Sequence, residues 1–531
     1  EGSQSTIDLS SLNSWHLASV PTGQPTLFPE STAQGLAKTA NRSKMSWYRI
    51  DNLFYRQLQN TPQHIAEDPM VNSDSRTRNV MYKDLFPLQD NQYGQIPNLQ
   101  ILEVAYYPKE RGQYNFDMSP YVDADGMFVN PQDRWGGIMR AMTTTDFELA
   151  NIEYIQFWVL DPFNKDAEDE HPQSLMSGGD LYFNLGNISE DILPDGRKSF
   201  ENGLSPTGTP LATETDTTLW AQVPNMQVVV NAFDNDPTTR MNQDVGLDGF
   251  NNAQERVHFQ EYITWINNNT TLSAAAKARM IADPSSDDYT YYLDDNYDTE
   301  KLGVMKRYKK YNGMEGNSPT PEMYDTMNVN GYSTVGPRLE PDREDINQDN
   351  NLQEAENYYQ YRISLRKQDM QVGRNYITNM QTYTKGNGDQ ENWYQFKIPV
   401  RDYESAINGI NDFRSIRFMR MFMKNFDEEV LLRFAKLELV RGEWRRYMQD
   451  LTQPGEGVVT DPNATAFDIN AVNINENSDR QPIKYVLPPG IQREIDPSQQ
   501  IQRQMNEQSL SLEVCNLKDG DSRAAYRNVA F

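Results

Sequence analysis

The sequence predicts a mainly β protein, made of tandem jelly-roll-like β-sandwich domains with helical and loop insertions. Two observations carry this. Runs rich in β-branched and aromatic residues alternate apolar with polar positions, as strands with one buried face do. The order of strand, basic Gly-containing turn, Trp and further strand then recurs along the chain. A repeat of well over a hundred residues indicates tandem domains of one fold, since a solenoid repeats every ~20–50 residues.

Taken in order, residues 1–96 read as an extended, irregular N-terminal segment. The first sandwich spans 97–205. There "LQILEVAYYPKERGQYN" gives a strand and its basic turn, Trp135 stands 22 residues before Phe157, and "NIEYIQFWVL" at 151–160 is the densest β-branched and aromatic run. In "DLYFNLG", at 180–186, Leu181, Phe183 and Leu185 alternate against Tyr182 and Asn184. Residues 206–356 form a connector. Its helix, "LSAAAKARMIAD" at 272–283, has Ser273 as N-cap and Pro284 just past its end. The second sandwich, 357–450, repeats the order with "YYQYRISLRKQDMQVGRNYI", Trp393, and strands at 413–423 and 429–440. A linker follows at 451–504, and "QSLSLEVCNLKDG" opens a third unit in 505–531.

Within "FRSIRFMRMFM", Arg414, Arg417 and Arg420 cannot share one strand face, because successive side chains alternate. At least one must turn towards protein and meet a carboxylate, since an unpaired buried guanidinium is too costly to keep.

Composition removes whole classes of function. A net charge of −27, from 76 acidic and 49 basic residues, repels duplex DNA and anionic lipid, so no nucleic-acid partner is expected. The single Cys515 excludes an internal disulfide framework. No stretch approaches the ~20 apolar residues of a spanning helix, and the chain reads as a soluble piece. His16, His64, His171 and His258 lack metal-ligand spacing, and no dinucleotide fingerprint, nucleophile elbow or Walker loop is present. The sequence predicts no enzyme.

One chemical signal stands out. "DINQDNNLQEAE" places Asp345, Asn347, Asp349 and Glu356 at positions 1, 3, 5 and 12 of an EF-hand-type loop, with the carbonyl of Asn351 at position 7. Asn350 takes the position-6 turn, which Asn tolerates. Upstream, "DVGLDGFNNAQE" places Asp244, Asp248 and Glu255 at positions 1, 5 and 12, but Gly246 leaves position 3 without a side-chain ligand. The spacing predicts structural Ca²⁺ at both. The alternative is a pair of Asx-rich turns bonding their own backbone.

Long segments carry a resemblance as well. "IEYIQFWVLDPF", "GDLYFNLGNISEDILPDGRKSFENGL", "PDREDINQDNNLQEAENYYQYRISL" and "DFRSIRFMRMFMKNFDEEVLLRFAKLELVRGEWRRY" resemble the SprA family, also called Sov, from "IDLSSLNSWHLASVPTG" to "NEQSLSLEV". Members are very large outer-membrane translocons of the type IX secretion system of Bacteroidota. The resemblance implies a cap or pore-lining portion of a translocon serving protein export and gliding motility at the cell surface, the extracellular side preferred. It implies secreted cargo, other subunits of the system and the remaining β-barrel of the same chain as partners, and it supplies no catalytic residues.

The rival reading is a calcium-stabilised carbohydrate-binding module or adhesin, with Trp135, Trp158, Trp393 and Trp444 as sugar platforms. Their recurrence at equivalent positions favours core packing over display.

Overall fold

The computed structural model describes residues 5–56, 61–87, 98–165, 175–208, 214–311, 340–442, 444–446, 465–478, 484–493, 495–496, 503–504, 507–519 and 522–526. Most of the strands belong to two antiparallel sheets. In chain order they are β1 (Ser5–Asp8), β2 (His16–Leu17), β3 (Ser43–Tyr48), β4 (Ile101–Arg111), β5 (Trp135–Ala141), β6 (Ile152–Leu160) and β7 (Gly179–Asn187). A small hairpin, β8 (Thr215–Thr217) and β9 (Gln222–Pro224), stands apart. Then come β10 (Asn357–Leu365), β11 (Ile377–Thr384), β12 (Gln390–Pro399), β13 (Ser405–Ile407), β14 (Phe418–Lys424) and β15 (Val430–Arg441).

The strand order is β11-β12-β6-β15-β4-β3 in one sheet, with β1 on β15, and β13-β10-β7-β14-β5-β2 in the other. The expected separate sandwiches at 97–205 and 357–450 are therefore corrected. Strands of the two segments alternate within both sheets, and there is one sandwich. The repeat survives in another form. Matching β4, β5, β6 and β7 with β10, β12, β14 and β15 maps the core order of one sheet onto that of the other. The physical reason is edge pairing. Without β15 and β14, the facing edges of β6 and β4, and of β7 and β5, would have no ladder partners.

Period-two alternation sets the faces. Ile155, Phe157 and Val159 of β6, Leu181, Phe183 and Leu185 of β7, and Met419, Met421 and Met423 of β14 meet between the sheets. A register break in β15 between Ala435 and Glu438, with Lys436 at φ 49°, advances the phase by one. Leu437 and Leu439 thus rejoin the core that Val430, Leu432 and Phe434 began. The outer faces are covered too. Residues from 18–28 and Ile346 lie over Trp135, Tyr182, Phe418 and Phe422, while Val80, Leu85 and Phe86 cover Trp158 and Trp393. Each such aromatic contributes ~1.5–3 kcal/mol on burial, which explains strands buried on both sides.

The helical insertion docks through Tyr262, Ile263, Ile266 and Ala276 onto Phe116 and Trp220. Its helix Ala274–Ala282 begins where expected, the Ser273 hydroxyl accepting from the Ala276 N–H at 3.1 Å. Residues 447–450 of the expected second sandwich, 451–464, 479–483, 494 and 497–502 of the expected linker, and 505–506, 520–521 and 527–531 of the expected third unit lie outside the described residues. The strand expected at the third unit is present (Gln508–Cys515), paired with Ala466–Asn473 and not with either large sheet.

Candidate functional site

The acidic loops decide what chemistry the molecule offers. A strand whose arginine reaches the first loop, β14, explains its geometry. β14 begins at Phe418, so Arg414 and Arg417 precede it and are exposed, Arg414 pairing with Glu148 at 3.1 Å. Arg420 alone of the three is buried, and it projects to the outer face of its sheet. Its guanidinium donates to both oxygens of Glu356 at 2.8 and 3.1 Å and to Asn184 at 2.9 Å. Glu356 also accepts the backbone N–H groups of Ser189 and Thr22. The position-12 carboxylate of "DINQDNNLQEAE" is thus engaged by a buried cation and two amides.

The rest of that loop closes on itself. Asp345 accepts the N–H groups of Asp349 and Asn350 at 3.0 and 2.8 Å, Asn347 accepts that of Asp349, and Asp349 accepts that of Asn351. Asn350 does take the left-handed conformation, at φ 69°. Glu190 braces the loop from below, accepting the N–H groups of Ile346, Asn347 and Gln353. Burial raises its pKa to about 7, with Asp345 adding repulsion. The structure does not bring Asp345, Asn347, Asp349, Asn351 and Glu356 together as one ligand set. The residues form nested Asx turns, because amide donors and Arg420 claim the oxygens first.

The upstream loop behaves differently. Asp244 pairs with Arg240 one helical turn back, at 3.1 Å. Asp248 and Glu255 converge with a residue that spacing did not indicate, Asp287. The three are buried, and each contributes an oxygen to a group whose atoms all lie within 4.8 Å of one another. Asp283 and Asp288 form a second such group with Asp287. Ser285 ties the turn down, its hydroxyl donating to Asp248 at 2.7 Å and its N–H to Glu255 at 2.9 Å. Burial, then mutual repulsion, holds the carboxyl groups of Asp248, Glu255 and Asp287 well above the ordinary carboxylate range, and raises Asp288 to about 7. Gly246 is the one sequence signal that could have pointed to Asp287. At φ 88°, a Cβ there would stand 2.2 Å from Asp287 Oδ2. The position without a ligand makes room for one from elsewhere.

Trp135, Trp158 and Trp393 are buried, which removes three of the four sugar platforms, and Trp444 is half-buried. Among the described residues no helix is long and apolar enough to cross a membrane.

These features define a mainly β protein whose two packed sheets carry carboxylate-braced loops. The SprA_N family, described as motility related/secretion protein, matches residues 261–531, and the chain belongs to that family. No curated protein matches the chain.

Proposed function

We propose that this chain is a cap or pore-lining portion of a type IX secretion translocon at the outer membrane, contributing without catalysis to protein export and gliding motility. The family match over residues 261–531 carries this reading. The sandwich supports it. The strands of both large sheets bury one face against the other sheet and much of the second beneath loops and helices, so they are protein-facing elements and not lipid-facing wall. Their order supports a single jelly roll, with β12-β6-β15-β4 facing β10-β7-β14-β5. The acidic surface suits transient contact with cargo, since net charge resists adhesion. The extracellular side is the preferred placement, with secreted cargo, other subunits and the barrel of the same chain as partners.

The test is site-specific photo-crosslinking in secreting cells from exposed positions such as Leu149 on the sandwich and Val229 in the connector. Crosslinks to exported proteins are expected. Normal export and motility after in-frame removal of the connector helices, with no crosslink to cargo, would overturn the proposal. The carbohydrate-binding rival predicts retention on a glycan array instead.

A further inference from the structure

We infer that Asp248, Glu255 and Asp287 form a binding site for a hard divalent cation, calcium, which locks the start of the helical insertion to the turn that follows its helix Ala274–Ala282. The inference rests on three features of that place in the fold.

The first is an unpartnered oxygen. Asp287 is buried at 2% exposure and belongs to the group formed with Asp248 and Glu255; the neutral Tyr114 hydroxyl is beside its carboxylate and eases its charge, yet Oδ2 makes no hydrogen bond of ordinary geometry. Other buried carboxylates of the described residues that lack such an oxygen show what usually satisfies one, and where Glu103 keeps an unpartnered oxygen it still has Arg433 as counter-charge. Glu356 has Arg420, and Glu344 receives the N–H groups of Leu193 and Ser199. A buried carboxylate oxygen without a donor is costly unless something positive faces it.

The second is the lack of a counter-charge. Among the described residues no Lys or Arg forms an ion pair with Asp248, Glu255 or Asp287. The nearby Arg111 directs its guanidinium to the carbonyl oxygens of Asp283 and Pro284, and so fixes the turn without neutralising its acids. Three carboxylates cannot all be charged at this depth by themselves. A divalent ion supplies the missing charge and suits an all-oxygen donor set.

The third is the glycine. Gly246 keeps its φ of 88° and leaves the space in which Asp287 Oδ2 lies. The ladder read in "DVGLDGFNNAQE" therefore becomes a composite site, with positions 5 and 12 from one loop and the third carboxylate from the 283–288 turn. Calcium is favoured over magnesium because carboxylates from separate segments give a flexible, high-coordination set, whereas magnesium demands near-ideal octahedral geometry.

The experiment uses the purified chain stripped with EGTA, titrated with CaCl₂ alone and with MgCl₂ alone, and melted in each state. Calcium should bind and raise the melting temperature, with magnesium much weaker. Asp287→Asn and Glu255→Gln should weaken calcium on the order of 10- to 100-fold, at least the loss that altered outer-shell partners cause. In EGTA the same variants should melt higher than wild type, because each removes a buried repelling carboxylate, and in excess calcium they should melt lower. That crossing of stability order is one that a merely structural hydrogen-bonding role would not produce. No binding to the stripped wild type would overturn the inference. Unchanged affinity in both folded variants would overturn it equally, and so would variants that melt below wild type in EGTA and calcium alike.

Discussion

Two loops of similar spelling sit on opposite sides of one physical distinction. In the loop from Asp345 to Glu356, the side chains of Asp345, Asn347, Asp349 and Glu356 all have donors of their own, chiefly backbone amides and Arg420. In the loop from Asp244 to Glu255, two of the residues meet a third carboxylate and an oxygen without a donor. Ligand spacing along a chain records which oxygens are available. What competes for those oxygens is set by the rest of the fold. The first loop lies over a sheet whose outer face carries a buried arginine, and the guanidinium wins. The second is packed against a turn rich in Asp, and Arg240 pairs with Asp244 at its start while, among the described residues, no Lys or Arg forms an ion pair with Asp248 or Glu255.

The comparison can be broken or sharpened by substitution. The largest effect is expected at the first loop's anchor. Arg420→Met leaves Glu356 buried and uncompensated and should cost about 3–5 kcal/mol in urea unfolding. Adding Glu356→Gln should recover a good part of that loss, which a loop held by metal would not do. Next, Gly246→Ala forces a side chain into a left-handed conformation and against Asp287, and should destabilise by ~2 kcal/mol through the backbone alone. It should also lower calcium affinity by titration calorimetry. Asp345→Ala removes an Asx turn and should cost ~1 kcal/mol, with the calcium-dependent shift in melting temperature unchanged.

The smallest effect concerns pH. Glu190 is raised from its ordinary 4.5 to about 7 by burial, so the folded state holds its proton more tightly than the unfolded state. Its contribution is fully present below pH ~4.5 and lost as pH rises through 7. Glu190→Gln should flatten that part of the stability profile, read from denaturant midpoints between pH 4.5 and 7.5. An unchanged slope would remove Glu190 from the account of how the first loop is braced.

Much of this was legible in the residues. Strands at 151–160, 180–186 and 429–440 lie where alternation placed them, and the inward set Leu181, Phe183 and Leu185 is the one expected. The Ser273 cap and the pairing of one strand arginine with a carboxylate followed from local rules. Strand partners did not, because a period of two identifies faces and says nothing about neighbours. "FRSIRFMRMFM" gives no hint that its second half lies between β7 and β5. Asp287 escaped for a related reason. It reaches the loop from a separate turn, and the only local mark of its arrival is a glycine that the spacing counted as a missing ligand.

The most direct test of this distinction is a long-wavelength anomalous difference map from crystals of the chain grown in calcium. One peak is predicted among Asp248, Glu255 and Asp287, with oxygen distances of about 2.3–2.6 Å, and none within the loop from Asp345 to Glu356. A peak in the latter loop, or no peak beside Asp287, would contradict the account.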